Sequence, residues 1–227
     1  MVKPNMINWN NPLKSTFIRR DRRFFAHMDI GGIDTQCYCP NTGKMSGLLV
    51  PGKKCILSEK SSGIRYQWEA VNFDNVWIGV NTNIPNKLGP DAINYLVETG
   101  QLEPGLLEKE VKFGHFRVDY KLGNQLIEIK NVHWVVNDLA LFPDCVTSRG
   151  SRQLEDMINL QNDGFKCYNL YILQRNDCNN LSIGSIDSKY HEQSIKAKNH
   201  GIKSFAFNCN LNEIGVEINK QIIFQFE

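Results

Sequence analysis

Between Arg117 and Lys130 polar and apolar residues alternate on both sides of Gly123-Asn124, as they do in a β-hairpin with one charged and one apolar face. A two-residue loop with Gly first suits a type II′ turn. That register would pair Leu122 with Gln125, set Asp119 opposite Glu128 and set Arg117 opposite Lys130. Alternation then puts Arg117, Asp119, Glu128 and Lys130 on one face, and Val118, Tyr120, Leu122, Ile127 and Ile129 on the other. Ahead of the hairpin, residues 14–80 read as short strands broken by turn residues, without a 3.6-residue period. The expected strands are Arg23–Ile30, Ile33–Cys39, Lys54–Glu59, Arg65–Phe73 and Val76–Val80. Five short antiparallel strands in about 70 residues fit a small barrel of the oligonucleotide/oligosaccharide-binding (OB) type.

From residue 81 the pattern changes. Asn81–Asn86 reads as a linker, and Pro90 as the first residue of a helix with Ile93, Leu96 and Val97 on its apolar stripe, stopped by Gly100. A strand at Leu106–Phe113 precedes the hairpin. Past a loop containing Phe142-Pro143-Asp144, a helix is expected from Ser148 to about Asn162, with Leu154, Met157 and Ile158 buried and Gly164 as its stop. A buried-type strand at Cys167–Leu173, a helix at Ser188–Asn199 and strands at Lys203–Asn208 and Gly215–Phe226 complete the chain. The expected fold class is mixed α+β, with a five-stranded OB-like barrel over residues 1–82 and an α/β domain over 83–227.

With 41% hydrophobic residues among 227, a sizeable core is within reach. There is no run of 18 apolar residues and no signal-peptide pattern at the N-terminus, so the expectation is a cytoplasmic protein with no membrane partner. Seven scattered cysteines, odd in number and without C-x-x-C, indicate neither a disulfide framework nor a zinc site. The net charge of +2 is unevenly spread: residues 1–70 hold 11 Lys or Arg against 5 Asp or Glu, leaving 15 against 19 for the remainder. A basic first part suits a polyanion, and an acidic second part suits a metal site.

Charge and pattern together nominate residues. Arg19, Arg20, Arg22 and Arg23 stand beside Phe24 and Phe25, either to meet phosphates and stack on bases or as a solvated face over two core rings. Arg65 with Tyr66 and Trp68 is a second such cluster. The turn Cys39–Met45 offers backbone amides and Lys44 to an anion. Asp119 and Glu128, directly opposed, would hold one divalent cation with Lys130 alongside. Asp91 is either a helix-dipole partner or a residue reaching toward the hairpin.

The order helix, three strands, helix, strand, with Asp119 on the second strand and Glu128-x-Lys130 on the third, resembles the core of the PD-(D/E)XK nuclease superfamily. That resemblance implies phosphodiester hydrolysis with Mg²⁺ or Mn²⁺ on Asp119 and Glu128. It makes Lys130 the catalytic lysine, has the Ile129 carbonyl complete the shell, and leaves Asp91 and Glu110 as further metal contacts or support. Closer blocks are C-P-N-T-G-K-M at Cys39–Met45, L-V-P-G at Leu49–Gly52, E-V-K-F-G at Glu110–Gly114, F-R-V-D-Y at Phe116–Tyr120, E-I-K at Glu128–Lys130 and F-P-D-C-V-T-S-R-G at Phe142–Gly150. In these the chain resembles the sugar fermentation stimulation protein A (SfsA) family over nearly its whole length.

The family resemblance implies an OB-type barrel followed by a nuclease-like domain, with single- or double-stranded DNA as partner. The implied activity is a metal-dependent nuclease or, alternatively, a non-catalytic DNA-binding regulator of sugar (maltose) metabolism with a vestigial site. Arg149 and Arg152 join the nucleic-acid contacts, while Asp144, Thr147 and Gln153 brace or extend the site. A homodimer is left open. The chain departs from the family pattern at Asp91 where Glu is expected, at Asn131 and His133 in place of Ser and Thr, and at Arg152-Gln153 in place of Lys-His. Gln153 has no acid–base chemistry, yet it can hydrogen-bond water or phosphate. His133 reads as an ordinary loop or strand residue, with a ligand role as the alternative.

Overall fold

A computed structural model describes residues 5–226. The first strands are β1 (Ile7–Asn8), β2 (Leu13–Asp21), β3 (Phe25–Ile30), β4 (Ile33–Tyr38), β5 (Lys54–Glu59), β6 (Tyr66–Phe73) and β7 (Val76–Gly79). β2 to β6 run in the order β4-β3-β2-β5-β6, and β4 meets β6 at Tyr38 and Gln67, so the sheet closes into a five-stranded barrel of OB type. Its inward residues include Phe17, Met28, Cys55, Leu57 and Trp68, and the Phe17 and Trp68 rings stack at 5.0 Å.

The strand count matches expectation but the membership does not. β2 was not among the expected strands, and β7 pairs with β6 outside the closed barrel. β2 hides from a period-2 reading because its inward set includes a buried Ser15, and because a bulge between Phe17 and Arg19 breaks the alternation at Ile18. Arg19 and Arg20 therefore end a barrel strand, while Arg22 and Arg23 form its turn, both with left-handed φ. The bounds 1–82 also need correction, because β1 leaves the barrel and joins the second sheet. There Trp9 is buried and its Nε1 donates to the Asn212 carbonyl at 3.0 Å.

The second part comprises α1 (Ile84–Glu98), β8 (Leu107–Phe113), β9 (Phe116–Leu122), β10 (Gln125–Val132), β11 (Val135–Val136), β12 (Leu139–Phe142), α2 (Ser148–Asn162), β13 (Lys166–Leu173), β14 (Asn180–Ile183), α3 (Ser188–Asn199), β15 (Lys203–Leu211) and β16 (Gly215–Gln225). The sheet order is β11-β12-β14-β16-β15-β13-β10-β9-β8, with β10, β13 and β15 parallel. Leu88, Ile93 and Leu96 of α1 pack on one face against Ile127, Ile129 and Leu170. On the other face, Leu154 and Met157 of α2 and Tyr190 of α3 pack against Leu126, Tyr171 and Leu173. Among the described residues, no helix is long and apolar enough to cross a membrane.

Two differences from the expected pattern shape the site. α1 starts six residues before Pro90, with Pro85 in its first turn where a missing N–H costs nothing. Pro90 then lies inside the helix and cannot donate to the Asn86 carbonyl four residues back; the Tyr120 hydroxyl donates to that carbonyl instead.

The ribbon of β8 and β9 keeps one register from Leu107↔Leu122 to Phe113↔Phe116, yet Glu110 stands at φ 54° in its middle. Tyr120 and Leu122 face the α1 core, whereas Phe116 and Val118 belong to the α2 core. The ribbon changes faces at Glu110 and Asp119, so Val118 does not share a face with Tyr120. The β9–β10 ladder covers only Tyr120–Leu122 against Gln125–Ile127. Leu122 does pair with Gln125, but the opposition of Asp119 to Glu128 and of Arg117 to Lys130 is not part of the ladder. Arg117 instead pairs with Lys112 and reaches Glu110 at 3.4 Å.

Candidate active site

Past Ile127, where β10 has parted from β9, the Asp119 carboxylate bridges the gap. Its Oδ2 accepts the Ile129 N–H at 2.7 Å and its Oδ1 accepts Asn86 Nδ2 at 3.0 Å from α1. Each oxygen keeps a second lone pair. Glu128 points toward α2 and is 3% exposed. Its Oε1 accepts the Lys130 ammonium at 3.1 Å and the Gln153 amide, while its Oε2 is buried with no hydrogen-bond partner among the described residues. Burial raises the Glu128 pKa above the ordinary carboxylate value and nearby Asp119 adds to the rise, with Lys130 acting against them. Lys130, 6% exposed, also donates to Gln153 Oε1 at 2.7 Å. Gln153 thus accepts from the lysine and donates to the glutamate.

The N-terminus of α2 forms the next wall. Thr147 caps the helix by accepting Gly150 N–H at 3.1 Å, and its own N–H goes to Asp187 Oδ2 at 2.7 Å, which ties α2 to the start of α3. The barrel supplies the opposite wall. Asp144 Oδ2 accepts the Met45 N–H at 3.1 Å, and Thr82 Oγ1 donates to the Pro40 carbonyl at 2.9 Å, so the loop 40–45 is pinned over the second sheet. Burial works to raise the Asp144 pKa, but His133, Cys145 and the Met45 N–H together hold it below its ordinary value. Asn41, Asn86, Asp119, Glu128, Lys130, His133, Asp144, Thr147, Arg149 and Gln153 all line this one cleft of about 370 Å³.

The expected site residues divide sharply. Asp119, Glu128, Lys130, Asp144, Thr147, Arg149 and Gln153 meet in the cleft, and Arg152 lines an adjoining groove with Arg117, His115 and Asp156. Asp91 lies elsewhere: it is partly buried, and its carboxyl pKa is raised by that burial. Glu110 is exposed beside Arg117 and does not line the cleft. Arg19 is held by Asp34 at 2.9 Å, and Arg65 by Glu59 at 3.0 Å. Arg20 donates to the carbonyls of Arg23, Asn41 and Gly43, which makes it a brace for the loop. Arg22, Arg23 and Lys44 remain exposed, as does Phe24 at 46%. The turn amides proposed for an anion are in use, Gly43 N–H by Asn41 Oδ1 and Met45 N–H by Asp144. Sequence reasoning missed Asn41 and Asn86; Asn41 lies inside the Cys39–Met45 block, which was the available signal.

Residues 18–80 match the SfsA N-terminal OB domain, and residues 83–215 match the sugar fermentation stimulation protein RE domain. The chain belongs to the sugar fermentation stimulation protein family. A homolog from Synechococcus sp. (strain JA-2-3B'a(2-13)) is 32% identical over 94% of this chain and 93% of its own length. One from Allorhizobium ampelinum is 33% identical over 89% and 91%. A solved structure titled as Pyrococcus furiosus SfsA in complex with Ca²⁺ superposes with a TM-score of 0.85 at 20% identity, covering 96% of this chain and 98% of that one. These matches carry the SfsA resemblance seen in the sequence through to both parts of the chain.

Proposed function

We propose that this family member hydrolyses phosphodiester bonds of DNA in a divalent-cation-dependent reaction centred on Asp119, Glu128 and Lys130. The observation that carries the reading is Glu128 Oε2, a buried carboxylate oxygen without a donor, in a cleft that also holds Asp119 and an ammonium. A buried polar atom left unpaired is costly, and a hard cation is the partner such an oxygen suits. Asp119 and Glu128 would hold Mg²⁺ or Mn²⁺; the related Pyrococcus furiosus structure is described in complex with Ca²⁺. A bound cation would polarise a phosphoryl oxygen and acidify a water. Lys130 places positive charge beside the site, where it can orient a water or offset charge developing on phosphate. Gln153 holds that ammonium in place. Arg149, Arg152 and Arg117 give flanking phosphates a cationic groove that continues from the cleft.

The test is incubation of the purified protein with single- and double-stranded DNA in Mg²⁺ or Mn²⁺. Cleavage is expected from the wild type and not from Asp119→Ala or Lys130→Ala. Cleavage that persists in both variants, or none with either metal, overturns the reading. One observation favours a second reading. Gln153 occupies hydrogen bonds of both Glu128 and Lys130, which suits a cleft that binds DNA without turning it over, as a regulator of sugar (maltose) metabolism would. That reading expects undiminished DNA affinity in Asp119→Ala and no cleavage under any condition.

A further inference from the structure

Two more buried polar side chains that line the cleft each keep a nitrogen without a partner among the described residues, and they come from different domains. Asn41, on the barrel loop, is 3% exposed; its Oδ1 accepts Gly43 N–H at 2.8 Å while its Nδ2 has no acceptor among the described residues. His133, just past β10, is 4% exposed, and its Nδ1 has no hydrogen-bond partner among the described residues. Its Nε2 lies 3.4 Å from Asp144 Oδ2. Asp144 is already engaged by Met45 N–H, and Arg20 fixes the Asn41 and Gly43 carbonyls. The loop is therefore held rigidly with one amide donor unspent. Buried donors are nearly always paired, and for an orphan donor that lines a cleft a ligand oxygen can be that partner.

We propose that Asn41 and His133 form a phosphate-oxygen subsite where barrel and α/β domain meet, in the cleft that also holds Asp119, Glu128 and Lys130. This rests on the reading above that the substrate is a nucleic-acid backbone. It assigns the barrel's contribution to the Asn41–Met45 loop instead of the Arg19–Arg23 strand end, where Arg19 and Arg20 are committed to protein partners. Charged groups around the subsite are Lys130 and Arg149 on the favourable side, and Asp119, Glu128 and Asp144 on the other.

The experiment measures binding of a fluorescein-labelled single-stranded oligonucleotide by anisotropy in EDTA, where no cleavage intervenes. Asn41→Asp keeps the oxygen that accepts Gly43 N–H and replaces the donor with a repelling oxygen. It is expected to weaken binding by about tenfold or more, and Asn41→Ala by about fivefold. Because Asn41 is neutral, Asn41→Ala leaves the slope of log affinity against log salt unchanged, whereas Arg149→Ala lowers it by about one. Inorganic phosphate is expected to compete with the oligonucleotide for wild type and less well for Asn41→Asp. Should the melting temperature of Asn41→Asp fall, His133→Gln reports on the other wall with an expected loss of about fivefold. Wild-type affinity in Asn41→Asp, or in His133→Gln where that variant is used, overturns the subsite. Variant-sensitive binding by a protein that cleaves nothing overturns the nuclease reading alone, and cleavage with variant-insensitive binding overturns the subsite alone.

Discussion

Asp119 has two roles that a pair of substitutions separates. As a tether it gives Ile129 N–H an acceptor under α1, where Ile129 is only 7% exposed. Asp119→Ala leaves that donor unpaired and buried, which costs about 1–3 kcal/mol, so about 2 kcal/mol is a fair central figure. For a chain of this size each kcal/mol moves the melting temperature by about 2–4 °C, and the variant is expected to melt about 4–8 °C below wild type in EDTA. Asp119→Asn keeps a carbonyl oxygen for Ile129 N–H and is expected within about 2 °C of wild type. As a cation ligand the same residue gives a different signature. A cation at a hundred times its Kd stabilises the folded state by about 2.7 kcal/mol. Scanning fluorimetry with Mn²⁺ is therefore expected to raise the wild-type melting temperature by about 5–11 °C and that of Asp119→Asn far less. An unchanged melting temperature for Asp119→Ala in EDTA refutes the tether. Equal stabilisation of wild type and Asp119→Asn by Mn²⁺ refutes the ligand role.

Gly89→Ala tests the seating of α1: a Cβ there would stand 2.8 Å from Tyr120 Cε2 and 3.3 Å from Ile129 Cδ1. The helix gains about 1 kcal/mol in propensity but overpacking costs about 1–3 kcal/mol, and Tyr120 is held by Asn86, so a net loss of about 1 kcal/mol is expected in urea denaturation; no loss would mean the ring gives way. Asp144→Asn tests the clamp on the barrel loop through pH. The folded pKa of Asp144 lies below its ordinary 3.8, so its charge contributes stability above about pH 4 that fades as pH falls through the folded value. The stability gap between wild type and Asp144→Asn is expected to close on acidification, and a gap that widens refutes the assignment.

How much was legible follows from which interactions are local. β5 spans the residues expected of it, and α2 and α3 start and stop where their sequences say, because caps and periodicity are written in adjacent residues: Thr147 and Asp187 accept from Gly150 and Tyr190 N–H. β11, β12 and β14 are two to four residues long, too short for alternation to register. The start of α1 was hidden because Pro90 reads as a first helical residue unless Tyr120, far along the chain, is known to take the freed carbonyl. Asp119, Glu128 and Lys130 were nominated from spacing on paired strands, and all three line the cleft although the expected pairing of Asp119 with Glu128 is not part of the ladder. Asn41 and Asn86 were not, since they reach the cleft only through the docking of the barrel loop and of α1. Arg20 was counted for phosphate because composition records a charge and not the three carbonyls that consume it.

The face change in the β8–β9 ribbon is what gives the two carboxylates unlike environments. In a flat ribbon Asp119 would sit beside Glu128 under α2, and two carboxylates in one buried place oppose each other's ionisation. With Glu110 in the left-handed region, the ribbon turns over at Asp119. Its outer half packs Phe116 and Val118 under α2 while its inner half packs Tyr120 and Leu122 under α1. Asp119, at the crossing, is partly exposed with both oxygens hydrogen-bonded, whereas Glu128 stays buried with one oxygen unmet. Glu110, which the sequence offered as a ligand, thus bears on the site through backbone conformation: its side chain stays with Arg117 in solvent while its φ angle lets Asp119 reach the Ile129 N–H.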